Sequence, residues 1–111
     1  MYGKTSIDEL LPMLKTRFSH LELSKVNDHS VYVMNFHGDF PFHEHTKDEL
    51  YLVLEGEVRL RFHNQPDVIL KKNECLTVPA YTSHSSGSEK GALVLMVKPQ
   101  GMFAGSVEEE P

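Results

Sequence analysis

Apolar and polar positions alternate in short runs along most of this chain. From residue 21 onward, segments rich in Val, Leu, Tyr and Phe are punctuated at short intervals by turn residues, a texture that predicts strands packed as a sandwich or barrel. The segments run over 21–26, 30–36, 40–45, 49–55, 57–62, 68–70, 74–78, 84–86 and 92–98. Gly56, between two of them, predicts a tight hairpin, because glycine takes a positive φ at no steric cost. Pro66 marks a second turn within 63–67, and Lys71, Lys72 and Asn73 mark a third. Ahead of the strands, Ser6 precedes Glu9 in capping-box spacing, with Leu10, Leu11 and Leu14 on one helical face. This predicts a short helix over 7–17, broken where Pro12 removes an intrahelical hydrogen bond. Past Pro99 the alternation lapses. The organisation expected is a helical segment over 1–20, an all-β barrel over 21–100 and a C-terminal tail over 101–111, its last five or six residues solvated.

The alternation also assigns faces. In the segment 49–55, Glu49, Tyr51 and Val53 share one face, while Leu50, Leu52 and Leu54 share the other. Both faces are apolar enough to need covering; if the Glu49 face turns into the lumen, the leucine row faces out and calls for either the N-terminal segment or a second subunit. The next segment alternates cleanly, with Val58, Leu60 and Phe62 expected inward and Arg59 and Arg61 outward.

Composition narrows the field. A chain of 111 residues fits one domain. With 16 Asp plus Glu against 11 Lys plus Arg, the net charge of -5 argues against nucleic-acid or anionic-membrane partners. No apolar run approaches the roughly 18 residues of a membrane span, and the start of the chain lacks a secretory apolar region. A single cysteine, Cys75, closes no intrachain disulfide; it reads as a small core residue, and a cytoplasmic setting is expected.

Histidine is the anomaly: there are seven, three of them (His37, His43 and His45) within one short stretch. Residues two apart on a strand point the same way about 6.6 Å apart, so His43 and His45 are able to converge on one ion. Glu49 follows after a three-residue gap, enough for the chain to turn and aim a carboxylate at the same point. Imidazoles mixed with one carboxylate suit a borderline divalent metal. Taken alone, His-x-His reads equally well as two surface histidines.

The surroundings add weight, because here the sequence resembles the cupin superfamily of small conical β-barrels. Their first motif, G, five residues, H-x-H, three or four residues, E, six residues, G, is matched by Gly38, His43, His45, Glu49 and Gly56, with four residues in the first gap. Their second motif, G, five residues, P-x-G, two residues, H, three residues, N, is matched by Pro79 and His84, while Asn73, Tyr81 and Ser88 replace the other residues. Asn73 suits a positive-φ turn, whereas a left-handed Tyr81 is not expected. The resemblance implies a double-stranded β-helix, or jelly roll, with one divalent ion (Fe, Mn, Zn or Ni) held by His43, His45, Glu49 and His84 in the barrel mouth. Two coordination positions would remain for water, substrate or dioxygen. Without the motif, His84 reads as a loop histidine among serines.

Tyr51 shares the Glu49 face and is the candidate for a catalytic hydroxyl, with a core tyrosine as the alternative. His37 reads as a loop residue near the rim, His20, His29 and His63 as surface residues, and Asp48 as solvent-facing. Small cupins of this kind, RmlC-like in their barrel, are commonly homodimers. Three functions follow from the resemblance: a metal-dependent enzyme of the sugar-isomerase or dioxygenase type acting on a small molecule, a non-catalytic ligand-binding or sensing module, and a barrel with a structural metal. Arg59 and Arg61, pointing outward, leave a phosphosugar without cations in the lumen.

Overall fold

The structure, a computed structural model, describes residues 2–102. Helix α1 spans Ile7–Leu10 and passes into a 3-10 turn over Leu11–Met13. Ser6 caps it, its hydroxyl accepting the Glu9 N–H at 3.4 Å. The helix is shorter than expected because Pro12 falls in the second turn, where the i to i−4 ladder fails. No residue of α1 is fully buried, and Ile7 and Leu10 are half-buried.

Seven strands follow: β1 (His20–Val26), β2 (His29–Asp39), β3 (Glu49–Gly56), β4 (Val58–Phe62), β5 (Val68–Leu70), β6 (Cys75–Val78) and β7 (His84–Pro99). All pairings are antiparallel, in the order β1-β2-β7-β3-β6, with β4 joining β7 to β5. The long strand β7 organises the barrel. Its second half, from Ala92 to Pro99, lies between β2 and β3, and its first half, from His84 to Gly87, pairs with β4.

Three expectations change. The segments 84–86 and 92–98 are one strand, carried across a bend where Gly91 takes φ 102°. The segment 40–45 is no strand; a single bridge between His43 and His84 is its only ladder contact among the described residues. Gly56 has the positive φ expected, at 79°, yet it makes a corner and not a hairpin, because β3 and β4 pair with different halves of β7. A side chain at Gly56 would also collide with the Gly91 carbonyl oxygen, so the close approach of the two bends needs glycine.

The inward faces form one core in which Phe36, Tyr51, Val53, Leu60, Val94 and Met96 are buried. Arg59 points outward, and Val58 and Leu60 inward, as the alternation predicts. Cys75 is exposed and not a core residue, since β6 sets Leu76 opposite Tyr51 and Val78 opposite Glu49, turning Cys75 to the outer face. Leu50, Leu52 and Leu54 line that outer face half-buried. No helix of the described residues is long and apolar enough to cross a membrane. Met102 is buried; the rest of the expected tail lies outside the described residues.

Candidate metal centre

His43, His45, Glu49 and His84 come together, with one ligand-type atom of each lying within 4.8 Å of the others. All four are buried. Each is placed by backbone pairing. His43 and His84 face each other across the isolated bridge, each donating its N–H to the other's carbonyl at 3.0 and 2.9 Å. Glu49 opens β3, and His45 sits in the connection before it. The connection is clamped at two points: Tyr81 N–H donates to the His45 carbonyl at 2.7 Å, and Ala80 N–H donates to the Asp48 carboxylate at 2.9 Å. Asp48 is solvent-facing as expected, but it also ties the two loops together.

Tyr81 is left-handed after all, at φ 60°. The turn that delivers its N–H to His45 demands that conformation whatever the side chain, at a cost of about 1–2 kcal/mol for a non-glycine residue. Asn73, at φ 70°, behaves as expected of a glycine substitute.

The imidazoles are oriented for coordination. His43 Nδ1 and His84 Nδ1 each lie 2.8 Å from a carbonyl oxygen, of Pro41 and Thr82 respectively. A carbonyl only accepts, so each ring carries its proton on Nδ1 and presents the Nε2 lone pair to the cluster. Glu49 lies between the other two, with Oε1 3.5 Å from His84 Nε2 and Oε2 3.6 Å from His45 Nε2. Both ring nitrogens of His45, Glu49 Oε1 and His84 Nε2 are buried without a hydrogen-bond partner among the described residues. Orphaned buried acceptors of this kind are what a metal ion would satisfy, so the residues fit a divalent cation.

Electrostatics agree with that fit. Burial lowers His45 to a pKa of about 4, outweighing the opposing pull of Glu49, so this imidazole is neutral and able to coordinate at pH 7. For Glu49, burial acts upward, but the approach of His84 at 3.5 Å and the charge of Lys98 overcome it and hold the carboxyl below its ordinary range. In the metal-free chain this has a consequence for stability. An unfolded His45 takes up its proton near pH 6.5 and the folded one near pH 4, so stability is full above the first value and declines as pH falls towards the second. The loss approaches about 3 kcal/mol by pH 4. Urea midpoints of chelator-treated protein should therefore fall between pH 7 and pH 5, and a midpoint that stays flat would contradict the neutral, buried imidazole.

His43 and Glu49 form part of the wall of a cavity of about 220 Å³. Phe18, Met34, Phe36, Phe40 and Met96 make it mainly apolar. Tyr51 lies on the wall and within the core, its hydroxyl 3.5 Å from Ser86 Oγ. Burial, and then the Glu49 charge, push the phenol well above its usual pKa, so it stays a donor. His20 also lines the cavity, with its ring 5.8 Å from that of Tyr32, contrary to its expected place on the surface. His29 and His63 are exposed, as is His37, which lies within β2.

Sequence reasoning missed Lys98. It is 1% exposed, its Nζ lies 3.6 Å from Glu49 Oε2, and it also sits 5.3 Å from the centroid of the Tyr32 ring. Burial lowers its pKa, with Glu49 opposing the shift. The signal was present in the parity of β7, where Ala92, Val94, Met96 and Lys98 alternate with half-buried residues and so face inward together.

An antiparallel barrel with three imidazoles and a carboxylate gathered inside defines a class of small barrel protein suited to a single metal ion. The family is explicit in the sequence: the cupin domain model matches residues 30–98, and the chain belongs to the cupin family. The protein YdbB of Bacillus subtilis strain 168 is 33% identical over 99 residues, covering 88% of each chain. Among solved structures, a cupin-2 domain protein of Shewanella frigidimarina has a TM-score of 0.81 at 21% identity, over 86% of this chain and 93% of its own. Protein NMB1881 of Neisseria meningitidis has a TM-score of 0.79 at 18% identity, over 88% and 100%. These two likenesses carry the fold.

Proposed function

We propose that this chain is a metal-dependent enzyme that acts on a small molecule held in the barrel mouth, with His43, His45, Glu49 and His84 as metal ligands. The observation that carries the reading is a buried cluster of these four, two of which, His43 and Glu49, line an apolar cavity large enough for a small ligand. A structural zinc site is usually closed and Cys-rich, whereas this one adjoins space and contains no cysteine. When bound, the metal would supply Lewis acidity, or dioxygen activation if it is ferrous iron. The chain's own residues supply the rest: apolar walls that keep water away, and a Tyr51 phenol that donates a hydrogen bond without giving up its proton. Of the two reaction types anticipated, the walls suit dioxygenase-like chemistry better than a sugar isomerase, since Phe and Met leave buried hydroxyls unpaired.

Metal analysis of anaerobically purified protein, followed by oxygen-uptake and isomerase screens over diketones, thiols and small sugars, tests this. We expect one divalent ion per chain and turnover in the first screen. A stoichiometric metal with a tight ligand and no turnover in any screen would instead make it a binding module.

The half-buried outer leucines support a homodimer through the β3 face. Leu52→Glu is expected to shift the light-scattering mass from two chains to one; a wild-type chain that already runs as a monomer removes the idea. A cytoplasmic setting suits the single, exposed Cys75.

A further inference from the structure

We propose that the ligand of this cavity is a compact anion with an apolar body, a small carboxylate or enolate, and that Lys98 is the residue that selects it. The inference rests on the metal-dependent reading above and goes further, because it names the substrate class from a residue outside the ligand set.

The argument is one of charge in a confined apolar space. Lys98 is fully enclosed on the cavity wall, and Glu49 is the only carboxylate among the described lining residues. Without metal, one ammonium faces one carboxylate at 3.6 Å. A divalent ion on the cluster adds two positive charges, Glu49 cancels one and Lys98 restores it, so the described residues of the loaded site sum to +2; imidazoles that ligate a metal are neutral and contribute nothing. An excess of that size is costly among Phe and Met side chains and is relieved by an anion entering the same space. The outward Arg59 and the half-exposed Arg61, which reaches Ser85 and Asp39, do not line this cavity. Among the described residues, Lys98 is therefore the lysine or arginine an incoming anion meets.

Size and wall chemistry set the rest. A volume of about 220 Å³ lies below the ~300–1,000 Å³ of sites for drug-sized ligands. A body rich in hydroxyls would find few partners on walls made by Phe18, Phe36, Phe40, Met34 and Met96. A short branched or aromatic body bearing one anionic group matches both constraints.

Benzoate and its neutral isostere benzamide, titrated against the full chain loaded with Zn²⁺ and followed by ligand-observed NMR, test the proposal, with zinc stoichiometry measured on the same samples. Benzoate is expected to bind the wild-type protein about tenfold or more tightly than benzamide, the worth of one charge-assisted hydrogen bond. Lys98→Met should still hold zinc and bring the two ligands within about threefold. Equal affinities in the zinc-loaded wild type overturn the proposal, as does a Lys98→Met chain that keeps the full preference, which would then belong to the metal alone. Tighter binding of mannose than of benzoate also overturns it. If Lys98→Met does not fold, Lys98→Gln replaces it, and the wild-type comparison still decides. A wild-type chain that takes up no zinc or other divalent metal fails at the stoichiometry step, which marks the failure as that of the metal reading on which this proposal stands.

Discussion

Replacing His45 with alanine is expected to take bound metal from one ion per chain to near zero, while leaving the metal-free fold as stable as the wild type or more so. Changing a residue that only orients a metal ligand costs about 10–100-fold in affinity, and loss of a ligand exceeds that. The stability half of the expectation comes from the same residue. Both ring nitrogens of His45 are buried without a hydrogen-bond partner among the described residues, so the metal-free chain bears their desolvation with no return. Alanine removes that cost and leaves a small cavity, and the two effects oppose each other. A binding residue that weakens the empty fold is the signature of a site kept for function. Elemental analysis and denaturant melts of His45→Ala beside His63→Ala, an exposed histidine stacked on Phe42, provide the comparison. Full metal content in His45→Ala would remove this residue from the site.

Glu49→Gln is expected to destabilise the metal-free chain by about 3–5 kcal/mol, the cost of removing one partner from a buried ion pair. The amide nearly preserves shape, so the loss is electrostatic: Lys98 keeps its ammonium in an enclosed place with the facing carboxylate gone. Adding Lys98→Met to Glu49→Gln should recover most of the loss, because the double variant buries neither charge. Urea unfolding of the wild type, both single variants and the double variant closes the cycle. A Glu49→Gln cost below about 1 kcal/mol, or a double variant no more stable than the single, would show that the pair is not coupled.

Much of this molecule was legible in its sequence, for identifiable reasons. Period-2 alternation depends only on which face a side chain takes, so spacing alone placed Val58 and Leu60 inward and put Tyr51 and Val53 on one face with Glu49. The four ligand-type residues were legible through their motif spacing, and His84 only through it, since nothing local distinguishes it from a loop histidine. Pairing partners were less accessible. The Gly56 corner looks like a hairpin in any local window, and only the length of β7, with room for both β3 and β4 along one edge, shows otherwise. Tyr81 was misjudged because side-chain sterics set a preference of a kilocalorie or two, while a backbone hydrogen bond to His45 set the answer. Lys98 was overlooked for the opposite reason: its parity pointed inward, but a charged residue near the end of a strand is usually read as solvated.

Strand β7 carries His84 near one end and Lys98 near the other, fourteen positions apart, with the bend at Gly91 between them. Both face inward because that separation is even and the bend preserves phase. The chemistry of the pocket is thus keyed to a count. Substitutions along β7 can be absorbed one at a time, but gaining or losing a single residue at the bend would leave His84 in place and rotate Met96 and Lys98 out of the barrel together. Change in this stretch during divergence should therefore proceed by replacement and not by indels, except in steps of two.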